Sequence, residues 1–295
     1  SGMMLTCRAE TGIKTPADFP GKTLGVWFYG NEYPFLSWMS KLKIKTDGSA
    51  GGVKVVVYGE CAGTVQGQID TPVAKRPKFA TPALWQAYAE RLNAFGEHLL
   101  TTYGIQLAYH HHMGAYVESA ADVDQLMDLT DPAKVFLLFD TGHAYFGGAL
   151  DPNALLRKHV RRVVHVHCKD VRVPVIAQAR NDQWSFLNGV LNGVFTVPGD
   201  GSIDFAAVLS TLHAAGYEGW LVVEAEQDPA VAPSYAFAQK GYQTLRALAV
   251  CTAPMIVFMF HSAWTQFPTW VAIAGSVSAV AMIISIAASA QLSHK

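Results

Sequence analysis

Short apolar runs alternate with amphipathic stretches along most of this chain, and several of the runs end in residues that titrate or bind metals. Residues 24–28, 53–58, 105–109, 135–139, 163–167 and 220–223 read as strands, being brief, rich in β-branched or aromatic side chains and bounded by turn residues. Between them, Thr81-Pro82 opens a helix as N-cap and first-turn proline. Its inward face is Trp85, Tyr88, Leu92, Phe95 and Leu99, and Gly104 stops it. Further helices are expected over 33–42, around 123–127, after Asp151-Pro152, and after Asp204 with Phe205, Val208, Leu209 and Leu212 inside. Apolar strands in alternation with helices imply a parallel sheet covered on both faces, hence the α/β class. A TIM-type (β/α) barrel, with its site at the carboxyl ends of the strands, fits best. A doubly wound open sheet is the alternative, weakened by the absence of G-x-G-x-x-G and of a Walker loop.

The strand ends carry the chemistry. Tyr109-His110-His111-His112-Met113-Gly114 closes the third run, and alternation sets His110 and His112 on one face with His111 on the other. The next runs deliver Asp140-Thr141-Gly142-His143, then His167-Cys168-Lys169-Asp170, then Glu224-Ala225-Glu226. A catalytic divalent ion needs imidazoles and carboxylates that converge and leave a position open, and His110, Asp140, His167 and Glu224 come singly from four successive strand ends. Mixed nitrogen and oxygen donors suit Mn²⁺, Co²⁺ or Fe²⁺ as well as Zn²⁺. His165 points the same way as His167 one layer deeper, where support of the ligands or packing of the barrel interior is expected rather than ligation. Trp27 and Trp184 are candidates for the wall of a substrate pocket, with a core role as the alternative. Lys169 and Asp170 are candidates for a structural ion pair.

With a formal net charge of -1, no basic field favours nucleic acid, and a small molecule is the expected partner. Cys7, Cys61, Cys168 and Cys251 form no C-x-x-C pair, which points to a reducing cytoplasm rather than a zinc ribbon or a disulfide framework. Three segments are expected. Residues 1–23 form an irregular leader or barrel remnant, 24–248 the barrel domain and 249–295 a hydrophobic tail. Residues 270–290 lack any charge and are long enough for a membrane-spanning helix, so membrane attachment through the tail is an expectation. The stretch 59–78, with several Gly and Pro residues, exceeds an ordinary connection and is expected to be a functional lid.

From Leu24 to Leu248 the chain resembles the myo-inosose-2 dehydratases of the xylose-isomerase-like barrel superfamily. The resemblance is carried by Tyr109–Gly114, Asp140–His143, His165-Val166-His167-Cys168-Lys169-Asp170-Val171, Trp184-Ser185-Phe186-Leu187, Gly193–Gly201 and Trp220–Pro229. It implies metal-dependent dehydration of 2-keto-myo-inositol, a cyclic polyol ketone, to a trihydroxycyclohexane-dione in inositol catabolism, with Mn²⁺ or Co²⁺. Asp140, His167 and Glu224 match three superfamily ligands, and His110 stands where the first glutamate would be. Loss of water β to a ketone needs a base, for which Glu60 and Glu226 are candidates, and an acid, for which His143 and Lys169 are candidates. His111 and His112 are expected to meet substrate hydroxyls. The family barrel has strands ahead of Leu24 that this chain lacks, so an incomplete barrel plus a C-terminal hydrophobic helix is the expected fold. Two other readings remain: a ketose isomerase or epimerase of the same superfamily, and an inactive, membrane-attached remnant.

Overall fold

The computed structural model describes residues 15–18, 39, 41–43, 54–148, 151–252 and 282–284. The strand expected at 24–28, Trp27 and most of the helix expected over 33–42 lie outside the described residues.

Five parallel strands form the sheet expected from the apolar runs. They are β1 (Val55–Gly59), β2 (Gln106–His110), β3 (Val135–Asp140), β4 (Val163–Cys168) and β7 (Trp220–Ala225), joined in the order β1-β2-β3-β4-β7. Each runs a residue or two further at its carboxyl end than the apolar run itself, because the backbone stays in the ladder while the side chains turn polar. Asp140 pairs with His167, and His167 with Val222, so the register sets the polar ends of neighbouring strands side by side.

Helix α1 (Pro82–Tyr103) begins at Thr81, whose side chain accepts the Leu84 N–H, and ends at Gly104 in the left-handed conformation. It buries Trp85, Tyr88, Ala89, Leu92 and Gly96. Phe95, expected on that face, is instead 40% exposed: the helix approaches the sheet through Gly96, where a Cβ would strike the Lys134 carbonyl. Helix α2 (Ala120–Leu129) starts from a capping box between Ser119 and Asp122. Short α3 (Thr141–Phe146) follows β3 directly, and α4 (Pro152–His159) leads to β4. After β4 the chain forms β5 (Asp170–Val171), α5 (Val173–Asn181), α6 (Phe186–Leu191) and β6 (Phe195–Thr196). Strand β6 pairs antiparallel with β5, outside the main sheet. Helix α7 (Phe205–Ala214), β7 and α8 (Ser234–Thr252) complete the unit.

The main core lies between sheet and helices and includes Leu107, Tyr109, Leu137 and Phe139 against Tyr88, Leu92, Leu209 and Leu212. A second apolar cluster, with Met113, Phe146, Val171, Phe186 and Phe195, sits over the carboxyl ends of the strands.

The helix expected over 270–290 falls largely outside the described residues. Three residues within it, β8 (Met282–Ile284), form a strand antiparallel to β7, because the free edge of β7 offers ladder groups to pair with. Among the described residues no helix is long and apolar enough to cross a membrane.

Candidate metal centre

Side chains two residues apart on a strand share a face, and at the carboxyl end of this sheet that period builds two storeys. Strand β2 ends in His110 with His112 two residues on, β4 carries His167 with Lys169 just past its end, and β7 carries Glu224 with Glu226 just past its end. From β3, Asp140 belongs to the lower storey and His143, one turn into α3, to the upper.

In the lower storey the ligating atoms of His110, Asp140, His167 and Glu224 all lie within 4.8 Å of one another. The Asp140 carboxylate is divided between two tasks. Its Oδ1 accepts the His143 N–H at 2.8 Å and caps α3, which leaves Oδ2 aimed into the cluster. Oδ2 lies 3.5 Å from both His110 Nε2 and His167 Nδ1, and His167 Nδ1 lies 2.7 Å from Glu224 Oε2. None of these approaches is aligned as a hydrogen bond, so His110 Nε2, Asp140 Oδ2, His167 Nδ1 and Glu224 Oε2 are buried without a hydrogen-bond partner. Buried polar atoms are nearly always satisfied, and four such atoms facing one point fit a divalent cation.

The electrostatics agree. Burial lowers the His110 pKa to about 4, which leaves a neutral imidazole with a free lone pair. Burial also opposes the His167 imidazolium, but Glu224 and Asp140 outweigh it and raise the pKa to about 9. Against the cost of burial, His167 and Lys169 bring Glu224 down to about 2. Protonated His167 thus supplies the positive charge that a bound ion would supply in its place.

The upper storey is His112, His143 and Glu226, again within 4.8 Å, with fully buried Lys169 between them. Lys169 Nζ donates to Glu226 Oε2 at 2.8 Å and lies 2.8 Å from His143 Nε2. It also reaches down to Glu224 Oε2 at 3.1 Å and Asp140 Oδ2 at 3.5 Å. Burial disfavours its charge, yet Asp140, Glu224 and Glu226 together hold its pKa above the ordinary lysine value. His112 donates from Nδ1 to the Met113 carbonyl at 2.7 Å, so Nε2 carries the lone pair and faces the site. Phe186 and Phe195 roof this storey, with Lys169 Nζ 5.0 Å from the Phe195 ring centre.

The other expected site residues fall elsewhere. Both oxygens of Glu60 are engaged, Oε1 with the N–H groups of Ala62 and Gly63 and Oε2 with the Tyr88 and Tyr58 hydroxyls, and it joins neither storey. His111 turns to the other side, as alternation requires. Its Nε2 accepts the Asp140 N–H at 3.3 Å and its ring packs near Phe139. Trp184 packs on the cluster containing Phe186 and Phe195. His165 lies 5.4 Å from His167, ring centre to ring centre, beneath the lower storey. Lys169 and Asp170 are not an ion pair, since consecutive residues point apart. The Asp170 carboxylate instead accepts the N–H groups of Val171, Gly199, Gly201, Ser202 and Ile203.

Three contributors were missed from sequence. Gln66, on the expected lid, brings Nε2 to 3.4 Å from His112 Nε2. Thr141 Oγ1 donates to the Lys169 carbonyl at 2.7 Å and accepts the Lys169 N–H at 3.1 Å. Phe195 forms part of the roof. Only the length of the 59–78 stretch signalled the first; nothing local signalled the others.

The sequence profile described as Xylose isomerase-like TIM barrel matches residues 44–280. The chain is 47% identical over 195 residues to an inosose dehydratase of Geobacillus thermodenitrificans (strain NG80-2), covering 66% of this chain and 65% of that protein. It is 47% identical over 204 residues to an inosose dehydratase of Klebsiella pneumoniae subsp. pneumoniae, covering 68% and 67% respectively. Similarity to the rhizopine catabolism protein MocC of Rhizobium meliloti is 46% identity over 198 residues, covering 67% and 60%. The chain thus spans about two thirds of the length of the curated relatives it matches.

Proposed function

Because the chain belongs to the xylose isomerase-like TIM barrel family, we propose that it is a metal-dependent hydro-lyase that dehydrates 2-keto-myo-inositol to a trihydroxycyclohexane-dione in inositol catabolism. The observation that carries the proposal is the lower storey, where four strands aim four unpartnered buried donor atoms at one point beside an acid and a base. Relatives named inosose dehydratase supply the substrate class.

His110, Asp140, His167 and Glu224 hold the ion, with Mn²⁺ or Co²⁺ preferred. When bound, the ion acts as a Lewis acid toward the ketone oxygen and the negative charge that develops there. The chain's own groups move the protons. Glu226, kept ionised by Lys169 against the effect of burial, takes the proton α to the ketone. As the β C–O bond breaks, the Lys169 ammonium gives a proton to the departing hydroxyl, which leaves as water. The 2.8 Å contact between Lys169 and Glu226 then returns the abstracted proton to the amine. His143, which burial holds neutral, and His112, with its lone-pair Nε2, position the ring hydroxyls, and Gln66 closes the pocket from the lid. The Phe186 and Phe195 roof excludes water, with Trp184 behind it.

The test is to incubate the purified chain, loaded with Co²⁺ or Mn²⁺, with 2-keto-myo-inositol and follow the ultraviolet absorbance of the dione. Metal-dependent appearance of a product lacking one water is expected. A folded, metal-loaded chain that leaves the ketone unchanged, or rearranges it with every oxygen retained, overturns the reading.

A further inference from the structure

The upper storey repeats the lower one. Three of its four positions, His112, His143 and Glu226, hold groups that ligate metals, and their donor atoms meet the same 4.8 Å closeness as the lower set. The fourth position, above His167 on β4, holds Lys169. The storeys differ in how their polar atoms are satisfied. Below, four donor atoms have no hydrogen-bond partner; above, none of the three is left without one. Glu226 Oε2 accepts from Lys169 Nζ, His143 Nε2 lies at 2.8 Å from the same nitrogen, and His112 Nε2 lies beside Gln66 Nε2. The ammonium therefore stands where a second cation would stand.

Charge leads to the same conclusion. Asp140, Glu224 and Glu226 are the carboxylates of the two storeys, and Lys169 Nζ lies within 3.5 Å of all of them. One divalent ion below and one ammonium above neutralise them. A second divalent ion beside the ammonium would leave the buried site strongly positive, and a net charge in a low-dielectric interior is costly. The lysine is also held in place. Its stem packs against Gly142, where an added Cβ would lie 2.6 Å from Lys169 Cγ, and Thr141 bonds its backbone on both sides.

We propose that His112, His143 and Glu226 form a latent second divalent-cation site, which the Lys169 side chain fills and thereby keeps the centre mononuclear. The proposal rests on the lower storey binding the first ion. Lys169 then has a selective role beyond proton transfer, since it excludes the second metal that would otherwise occupy the substrate side of the centre.

The test is a titration of the metal-free full chain with Co²⁺, followed by visible absorbance and by elemental analysis after desalting. The wild-type chain should saturate at one equivalent, Lys169→Ala at two, and Lys169→Ala with Glu226→Gln at one again. Circular dichroism melts establish that each variant is folded; if Lys169→Ala is not, Lys169→Ser carries the same expectation. Two equivalents in the wild-type chain, or one in a folded Lys169 variant, overturn the proposal. No ion in the wild-type chain would instead contradict the assignment of the lower storey.

Discussion

Gly142 shows how closely the residues of this centre constrain each other. Its Cα faces the middle of the Lys169 stem, and Cγ, Cδ and Cβ of that lysine would all lie within 3.0 Å of an added Cβ. Lys169 is fully buried and its ammonium is tied to Glu226, so the stem has nowhere to move without breaking that bond. Gly142→Ala is therefore expected to displace the ammonium, cost about 1–3 kcal/mol of stability and reduce kcat at least tenfold with little change in KM. Urea unfolding and steady-state kinetics check it; an alanine variant with wild-type kcat would show that Lys169 does not need its place. Asp140 offers a parallel case at the same scale, because one oxygen caps α3 and the other faces the metal position. A single carboxylate thus couples the start of a helix to the chemistry.

Among the elements, the loop between β1 and α1 depends most on a few contacts. Arg76 donates to the carbonyls of Ala115 and Tyr116 and pairs with Glu118 at 3.2 Å and Asp122 at 2.6 Å. Isolated bridges from Thr64 to Ala115 and from Pro72 to Ser185 add two further attachments. These ties fasten the loop and hold Gln66 beside His112. Removing one member of a buried ion pair leaves its partners uncompensated, and Arg76→Ala should cost about 3 kcal/mol, read as a lower urea midpoint, and should expose the 61–80 stretch to proteolysis. An unchanged midpoint and cleavage pattern would show that the arginine does not hold the loop. Sequence made the strands legible because each apolar run ends where its side chains turn polar, and the four lower-storey residues were recoverable one per strand. How the remaining titratable groups are partnered was not legible. Lys169 and Asp170 are neighbours in sequence, yet one enters the cluster and the other anchors the turn at Gly199–Ile203 through four backbone N–H groups. Pleat separates them, and tertiary contacts decide what each one meets. Phe95 is the matching case on a helix: its spacing suits the core, but the close approach at Gly96 turns it outward.

Among the described residues, β2, β3, β4 and β7 carry the lower storey, and the residues that directly follow these four strands carry the upper one. In the lower storey four buried donor atoms from β2, β3, β4 and β7 lack hydrogen-bond partners, which suits a bound divalent ion. The most direct measurement is the metal content of the purified chain after exposure to Mn²⁺ or Co²⁺, compared with that of Asp140→Asn and Glu224→Gln. One tightly held ion per chain, lost in both folded variants together with at least a hundredfold fall in dehydration, is the predicted result. Stoichiometric metal retained by both variants would contradict it.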